Sequence, residues 1–362
     1  MRYAGIGWEP DGYQVEIIDE EGRRCVPAAS FGATHIADLV AYVRAVDDRI
    51  AAVVDSTNGI IDGRLMAAGV TVCRADPPLL PGRPGFGSVP AIDIARAAQR
   101  NPSAVGRLQR HRGTQTGRED ELAAGIASSA AALDALTSAG RYLSHGDRGT
   151  PRVALTFDDG PQPPYTGRIL DVLQRYRVPA TFFCVGQHAG AFPDELVRMR
   201  EEGHQLGNHT FSHPFLQELS RGELAAQVLR AGEAVARTAG TDLPTAFRPP
   251  YGSRTPEVLG WLGELEVTTV LWDAEAADWA MPGADVIAHR ILDQARPGSV
   301  ILLHDGGGDR QQTVAALPAI IEGLLARGYQ FVPVAEMAAD PAAVRVGSRC
   351  ATAPASTGHF RR

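Results

Sequence analysis

The sequence predicts an α/β protein in two parts, a (β/α) barrel over residues 151–340 preceded by a smaller α/β domain. Three observations carry that prediction. The 362 residues exceed one average domain. From residue 153 onward, β-branched runs alternate with stretches of helical periodicity, the pattern of a parallel sheet. Short polar motifs fall just after those strands, where the C-terminal strand ends of a barrel line a single mouth.

The elements follow in order. Residues 3–7 and 13–19 read as a hairpin about the turn-forming Glu9-Pro10-Asp11-Gly12. Residues 36–46 repeat apolar side chains at helical spacing, 50–55 form an apolar, β-branched run, 60–68 read as a helix and 70–73 as a strand. Five prolines and three glycines make 77–90 a loop, and a helical stretch starts at Ile92. Residues 101–118 are basic and polar, 119–143 form an alanine-rich helix, and 144–151 read as a linker. The expected organisation is an N-terminal, non-catalytic α/β domain over 1–118, a helix and linker over 119–150, the barrel over 151–340 and a flexible tail over 341–362. Barrel strands are expected at 153–157, 180–185, 205–208, near Ala246, 268–272, 300–303 and 330–333. Helices are expected at 167–176, 194–202, 221–239, 286–294 and 314–327. No internal repeat interrupts this order.

A net charge of -7 gives no electrostatic reason for a nucleic-acid or anionic-membrane partner, and neither is expected. Cys25, Cys73, Cys184 and Cys350 form no CxxC pair and read as small buried hydrophobes or idle thiols. The N-terminus lacks the layout of a signal peptide, and no stretch reaches the ~18 apolar residues of a membrane helix, so a cytoplasmic location is expected.

Five segments carry chemistry. Thr156-Phe157-Asp158-Asp159-Gly160-Pro161 puts two carboxylates at a strand end, so that one can bind a metal while the other stays free as a base. An Asp-Asp-Gly surface turn looks the same in isolation. The spacing of His209 and His213 lets two imidazoles reach one cation, although many such pairs merely face solvent. In Arg248-Pro249-Pro250-Tyr251-Gly252, two prolines stiffen a loop that presents Arg248 to a carboxylate and the Tyr251 backbone N–H as a donor. A rigid turn with a structural salt bridge would read alike. Asp278-Trp279 suits a groove wall or an ordinary helix start. Last, Leu302-Leu303-His304-Asp305 ends an apolar strand on a histidine, which alone is more often a satisfied core residue.

Taken together and in this order, the segments resemble the polysaccharide deacetylase family, the chitooligosaccharide deacetylase homology domain of carbohydrate esterase family 4. The resemblance spans about residues 152–337 and includes Ala180-Thr181-Phe182-Phe183-Cys184-Val185-Gly186. It implies a distorted (β/α) barrel and the hydrolysis of acetamido groups on N-acetylated sugars. By that resemblance Asp159, His209 and His213 would hold one divalent metal, zinc or else cobalt. Asp158 would be the general base, paired with Arg248, and the Tyr251 N–H would stabilise the oxyanion. His304 would be the general acid, tuned by Asp278, while Trp279 and Leu302 would enclose the acetyl methyl group. Amide cleavage needs an activated water, an electrophile and a proton donor, and each has a candidate. The other histidines (His35, His111, His145, His188, His204, His289, His359) read as structural or surface residues.

The first hundred residues resemble, through Tyr3-Ala4-Gly5-Ile6-Gly7-Trp8, Val54-Asp55 and Pro90-Ala91-Ile92-Asp93, the ribonuclease-H-like part of insertion-element transposases. The first-strand Asp of such nucleases falls at Gly7, leaving Asp55 and Asp93 as the remaining acidic positions, which implies a catalytically silent module. Three functions are therefore weighed: an N-deacetylase of N-acetylated carbohydrate, the same chemistry on a small cytoplasmic amide or imide, and an inactive binding protein.

Overall fold

The computed structural model describes residues 1–47, 49–55, 61–82, 86–108 and 119–338. The expected C-terminal tail, His111, His359, Cys350, the basic run from 109 and the residues directly after Asp55 lie outside these. Two sheets organise the chain. In the first, β1 (Arg2–Glu9), β2 (Gly12–Ile18) and β3 (Ala29–Gly32) form an antiparallel meander. Helix α1 (Ile36–Arg44) then carries the chain to β4 (Ile50–Val54), which lies parallel to β1. From there α2 (Ile61–Ala67) leads to β5 (Thr71–Arg74), parallel to β4. After α3 (Ala91–Arg100), β6 (Gly106–Arg107) closes the order β3-β2-β1-β4-β5-β6. Gly5 lets α3 lie on the sheet, because a Cβ there would collide with the backbone of Ala91 and Ala95.

The segment expected as one helix over 119–143 divides into α4 (Glu119–Ser128), α5 (Ala130–Ser138) and the strand β7 (Tyr142–Leu143). The hydroxyl of buried Ser129 donates back to the Gly125 carbonyl at the break, and Gly140 at φ +68° turns the chain into β7. The second sheet then builds up by β/α steps. Its elements run β8 (Arg152–Asp158), α6 (Tyr165–Tyr176), β9 (Thr181–Cys184), α7 (Gly186–Ala191), α8 (Pro193–Glu201), β10 (Gln205–Asn208), α9 (Arg221–Ala239) and β11 (Ala246–Phe247). They continue through α10 (Pro256–Glu264), β12 (Thr268–Val270), β13 (Ala274–Glu275), α11 (Ala284–Gln294), β14 (Val300–His304), α12 (Gln311–Ala326), β15 (Gln330–Phe331) and α13 (Val334–Ala338).

All pairings in this sheet are parallel, in the order β13-β14-β8-β9-β10-β11-β12-β7, with β15 beside β8. The chain between β12 and β13 joins the two ends: Leu271 N–H donates to Leu143 O and Asp273 N–H to Val300 O. The result is a distorted β/α barrel. Its strands are buried on both faces, which is why they read as continuous apolar runs. Phe157 and Phe182 stack at 5.1 Å in a core that also takes Leu155, Ile301 and Leu303. No helix among the described residues is long and apolar enough to cross a membrane.

Candidate active site

Every barrel residue singled out from the sequence lies on or just beyond a strand's C-terminal end. Asp158 is the last residue of β8 and pairs in register with His304, the last residue of β14, so two of them start as neighbours. Asp159 follows at φ +74°, a left-handed conformation that swings its carboxylate out of the strand. Thr210, His213, Tyr251, Ala277 and Met281 are also left-handed, and all six lie in segments that end at this mouth. Such strain persists only where surrounding structure over-determines it.

Asp159, His209 and His213 form the one cluster among the described residues with three groups suited to a metal, their ligand atoms lying within 4.8 Å of one another. The His209 Nε2 lies 3.4 Å from Asp159 Oδ1, and the His213 Nε2 3.0 Å from it. The tautomer of His209 follows from the partner on its other ring side. His209 Nδ1 lies 2.7 Å from the Arg248 carbonyl, which can only accept, so Nδ1 carries the proton and Nε2 presents a lone pair. His213 Nδ1 meets the Tyr251 hydroxyl at 3.1 Å. Asp159 Oδ1 is buried and has no hydrogen-bond donor among the described residues. Converging acceptor atoms of this kind fit a divalent cation, and the donor set of two imidazoles and one carboxylate leaves coordination positions open, as catalytic zinc sites do. Burial opposes the charge on Asp159, yet the adjoining imidazoles of His213 and His209 hold its carboxyl well below the usual range.

Arg248 is fully buried and fixes Asp158. Its Nη1 donates to Asp158 Oδ1 and to Thr156 Oγ1, both at 2.7 Å, while Nε and Nη2 reach the carbonyls of Val270 and Leu271. The ring of Phe183 lies 4.1 Å beneath the guanidinium. Asp158 Oδ2, on the other side, lies 3.7 Å from His209 Nε2 and faces the cluster. Across the mouth, buried Asp278 accepts from His304 Nδ1 at 2.7 Å, from the His304 backbone N–H at 2.9 Å and from Thr313 at 2.8 Å. Burial works against an imidazolium, but Asp278, with Asp159 adding to it, raises His304 to about 9. Leu302 is buried two residues earlier on the same face of β14, and Trp279 is half-buried on the turn Asp278–Ala280.

Several neighbours of these residues were given no role from the sequence. Thr156 and Thr313 anchor Arg248 and Asp278. Asp305, buried and raised to about 7 by burial, accepts from Thr166, and its backbone N–H donates to Asp158 O. His188, read as structural or surface, is fully buried in α7 near Asp159 and pushed by burial to about 3. Of the N-terminal acidic positions, Asp55 accepts from Ser88 at 2.6 Å and Asp93 lies 3.7 Å from Arg96. A Cβ at Gly7 would sit 3.1 Å from the Val89 carbonyl and 3.2 Å from the Ser88 side chain, so Ser88 and Val89 crowd the position at which the resemblance would put a first-strand Asp.

A polysaccharide deacetylase family profile matches residues 145–270. The chain is 39% identical over 206 residues to a chitooligosaccharide deacetylase of Bradyrhizobium, covering 54% of this chain and 94% of that protein. It is 41% identical over 197 residues to a peptidoglycan-N-acetylglucosamine deacetylase of Bacillus cereus, covering 54% and 71%. Among solved structures, the Bc1960 peptidoglycan N-acetylglucosamine deacetylase superposes with a TM-score of 0.54 at 39% identity, over 56% of this chain and 95% of that one.

Proposed function

The chain belongs to the polysaccharide deacetylase family, and from that premise we propose that it hydrolyses the acetamido group of N-acetylglucosamine-containing oligo- or polysaccharides, releasing acetate. The observation that supports this most is the convergence of Asp159, His209 and His213 between two separately anchored acid–base groups, Asp158 and His304. A divalent cation on the three ligands, zinc or else cobalt, would polarise the amide carbonyl and lower the pKa of water from ~15.7 toward about 7.

The protein's own groups supply the rest. Asp158, held through Oδ1 by Arg248, keeps Oδ2 toward the ligands and takes a proton from the attacking water. Water oxygen bonds to the carbonyl carbon, and the Tyr251 backbone N–H donates to the oxyanion. His304 donates Nδ1–H to Asp278, which leaves Nε2–H to protonate the amide nitrogen. The C–N bond then breaks, the proton passes to the leaving amine, and acetate and a free amino sugar result. Leu302 and Trp279 supply the apolar wall for the methyl group.

These roles separate in two variants. Asp158→Asn keeps the metal but loses turnover by at least about 10²-fold, whereas His209→Ala loses metal and activity together. Metal content by elemental analysis, read beside acetate release, checks both. Near-normal activity in Asp158→Asn removes it as the base, and full metal content in His209→Ala removes that histidine from the ligand set.

A further inference from the structure

One buried side chain of the N-terminal sheet leads, through a chain of contacts, to the candidate metal ligands. Arg74 is the last residue of β5 and is 3% exposed. Burying a guanidinium is costly unless it is paired, and its partners come from both halves of the chain. Its Nε lies 3.0 Å from Asp76, and its Nη2 lies 3.1 Å from Glu218 in the loop that follows His213. The same guanidinium lies 4.9 Å from the ring centroid of Phe215. Phe215 stacks on Tyr251 at 4.0 Å with the planes 9° apart. The Tyr251 ring meets His213 edge-on at 4.6 Å, its hydroxyl 3.1 Å from His213 Nδ1, and His213 Nε2 faces Asp159.

Each link restricts the next. Tyr251 and His213 are both left-handed, so neither an ordinary helix nor an ordinary strand backbone sets the ring positions. The stack and the hydroxyl fix them instead, and a ligand histidine held at its second nitrogen keeps one tautomer and one orientation. Resting on the reading of Asp159, His209 and His213 as metal ligands, we propose that Arg74 is a positioning residue for His213, acting through Phe215 and Tyr251. The N-terminal half is thereby part of the metal site's framework, although none of its described residues belongs to the Asp159, His209 and His213 cluster.

The test is zinc affinity of the full-length protein, measured by competition with a chromophoric chelator, in wild type, Arg74→Ala, Tyr251→Phe and the double variant. Tyr251→Phe, which removes only the hydroxyl, weakens zinc by roughly tenfold, and Arg74→Ala by about threefold to tenfold. The double variant binds no more weakly than Tyr251→Phe, because the effect of Arg74 passes through that hydroxyl. Phe215→Leu, which interrupts the stack while staying apolar, gives the same deficit and guards against an Arg74→Ala protein that does not fold. Zinc affinities that add independently would overturn the relay, as would a wild-type affinity in folded Arg74→Ala and Phe215→Leu. A wild-type protein that takes up no zinc sinks the metal reading itself, a different failure.

Discussion

Asp158 keeps the register of β8, opposite Phe183 on one side and His304 on the other, and so shares a face with Thr156, where buried Arg248 can hold both. Asp159 leaves that register at a cost of order 1–3 kcal/mol for its left-handed backbone. The turn is held by the Asp305 and Gly306 N–H groups, which both donate to the Asp158 carbonyl. Two adjacent identical side chains thus meet different partners. The pairing of His304 with Asp278 carries a pH prediction. The acid must be protonated, so kcat/KM falls as pH rises through the pKa of His304, which Asp278 raises to about 9. Asp278→Asn removes that support, and the alkaline limb of the profile moves to lower pH; an unmoved limb would mean that another group donates the proton. The candidate residues could be picked out because their carboxylates and imidazoles fall at the ends of apolar strands. Thr156, Thr313 and Phe215 were not, since threonine in a strand and phenylalanine in a loop are ordinary until their partners are known.

Elements with several turns or several buried residues could be read from periodicity, and β10 and α9 begin and end where the sequence places them. Helix α9 is signposted by Ser220 and Glu223, which form a reciprocal capping box, and by Gly240 at φ +65° beyond its end. Ser220→Ala lowers stability by about 0.5–2 kcal/mol, checked by the denaturant midpoint. An unchanged midpoint would mean that tertiary packing alone holds this helix end. Short elements escaped: β6 and β7 have two residues each and α7 six, too few to display a period. Helix α10 was a different omission. Thr255 caps it and Pro256 opens it, a signal present in the sequence but overshadowed by the proline-rich loop just before.

At the scale of the whole molecule, the two sheets were legible as separate alternating patterns, but their shared packing was not, because it joins residues far apart in the chain. Trp8 and Phe86 pack against Phe211, between His209 and His213, and Ala231 and Ala234 of α9 enter the same cluster. Arg64 of α2 also donates to the Pro163 carbonyl, beyond Asp159. Trp8→Ala, an N-terminal change costing about 3–5 kcal/mol, therefore lowers the temperature at which the catalytic half loses activity. An unaltered inactivation temperature would mean that the halves are energetically independent. The central claim rests on the reaction, and its most direct measurement is mass spectrometry with acetate determination on N-acetylglucosamine oligomers incubated with the zinc-loaded protein. The account predicts acetate and free amine in equal amounts, both absent with Asp158→Asn. Intact oligomers after incubation with folded, zinc-loaded wild-type protein would contradict it.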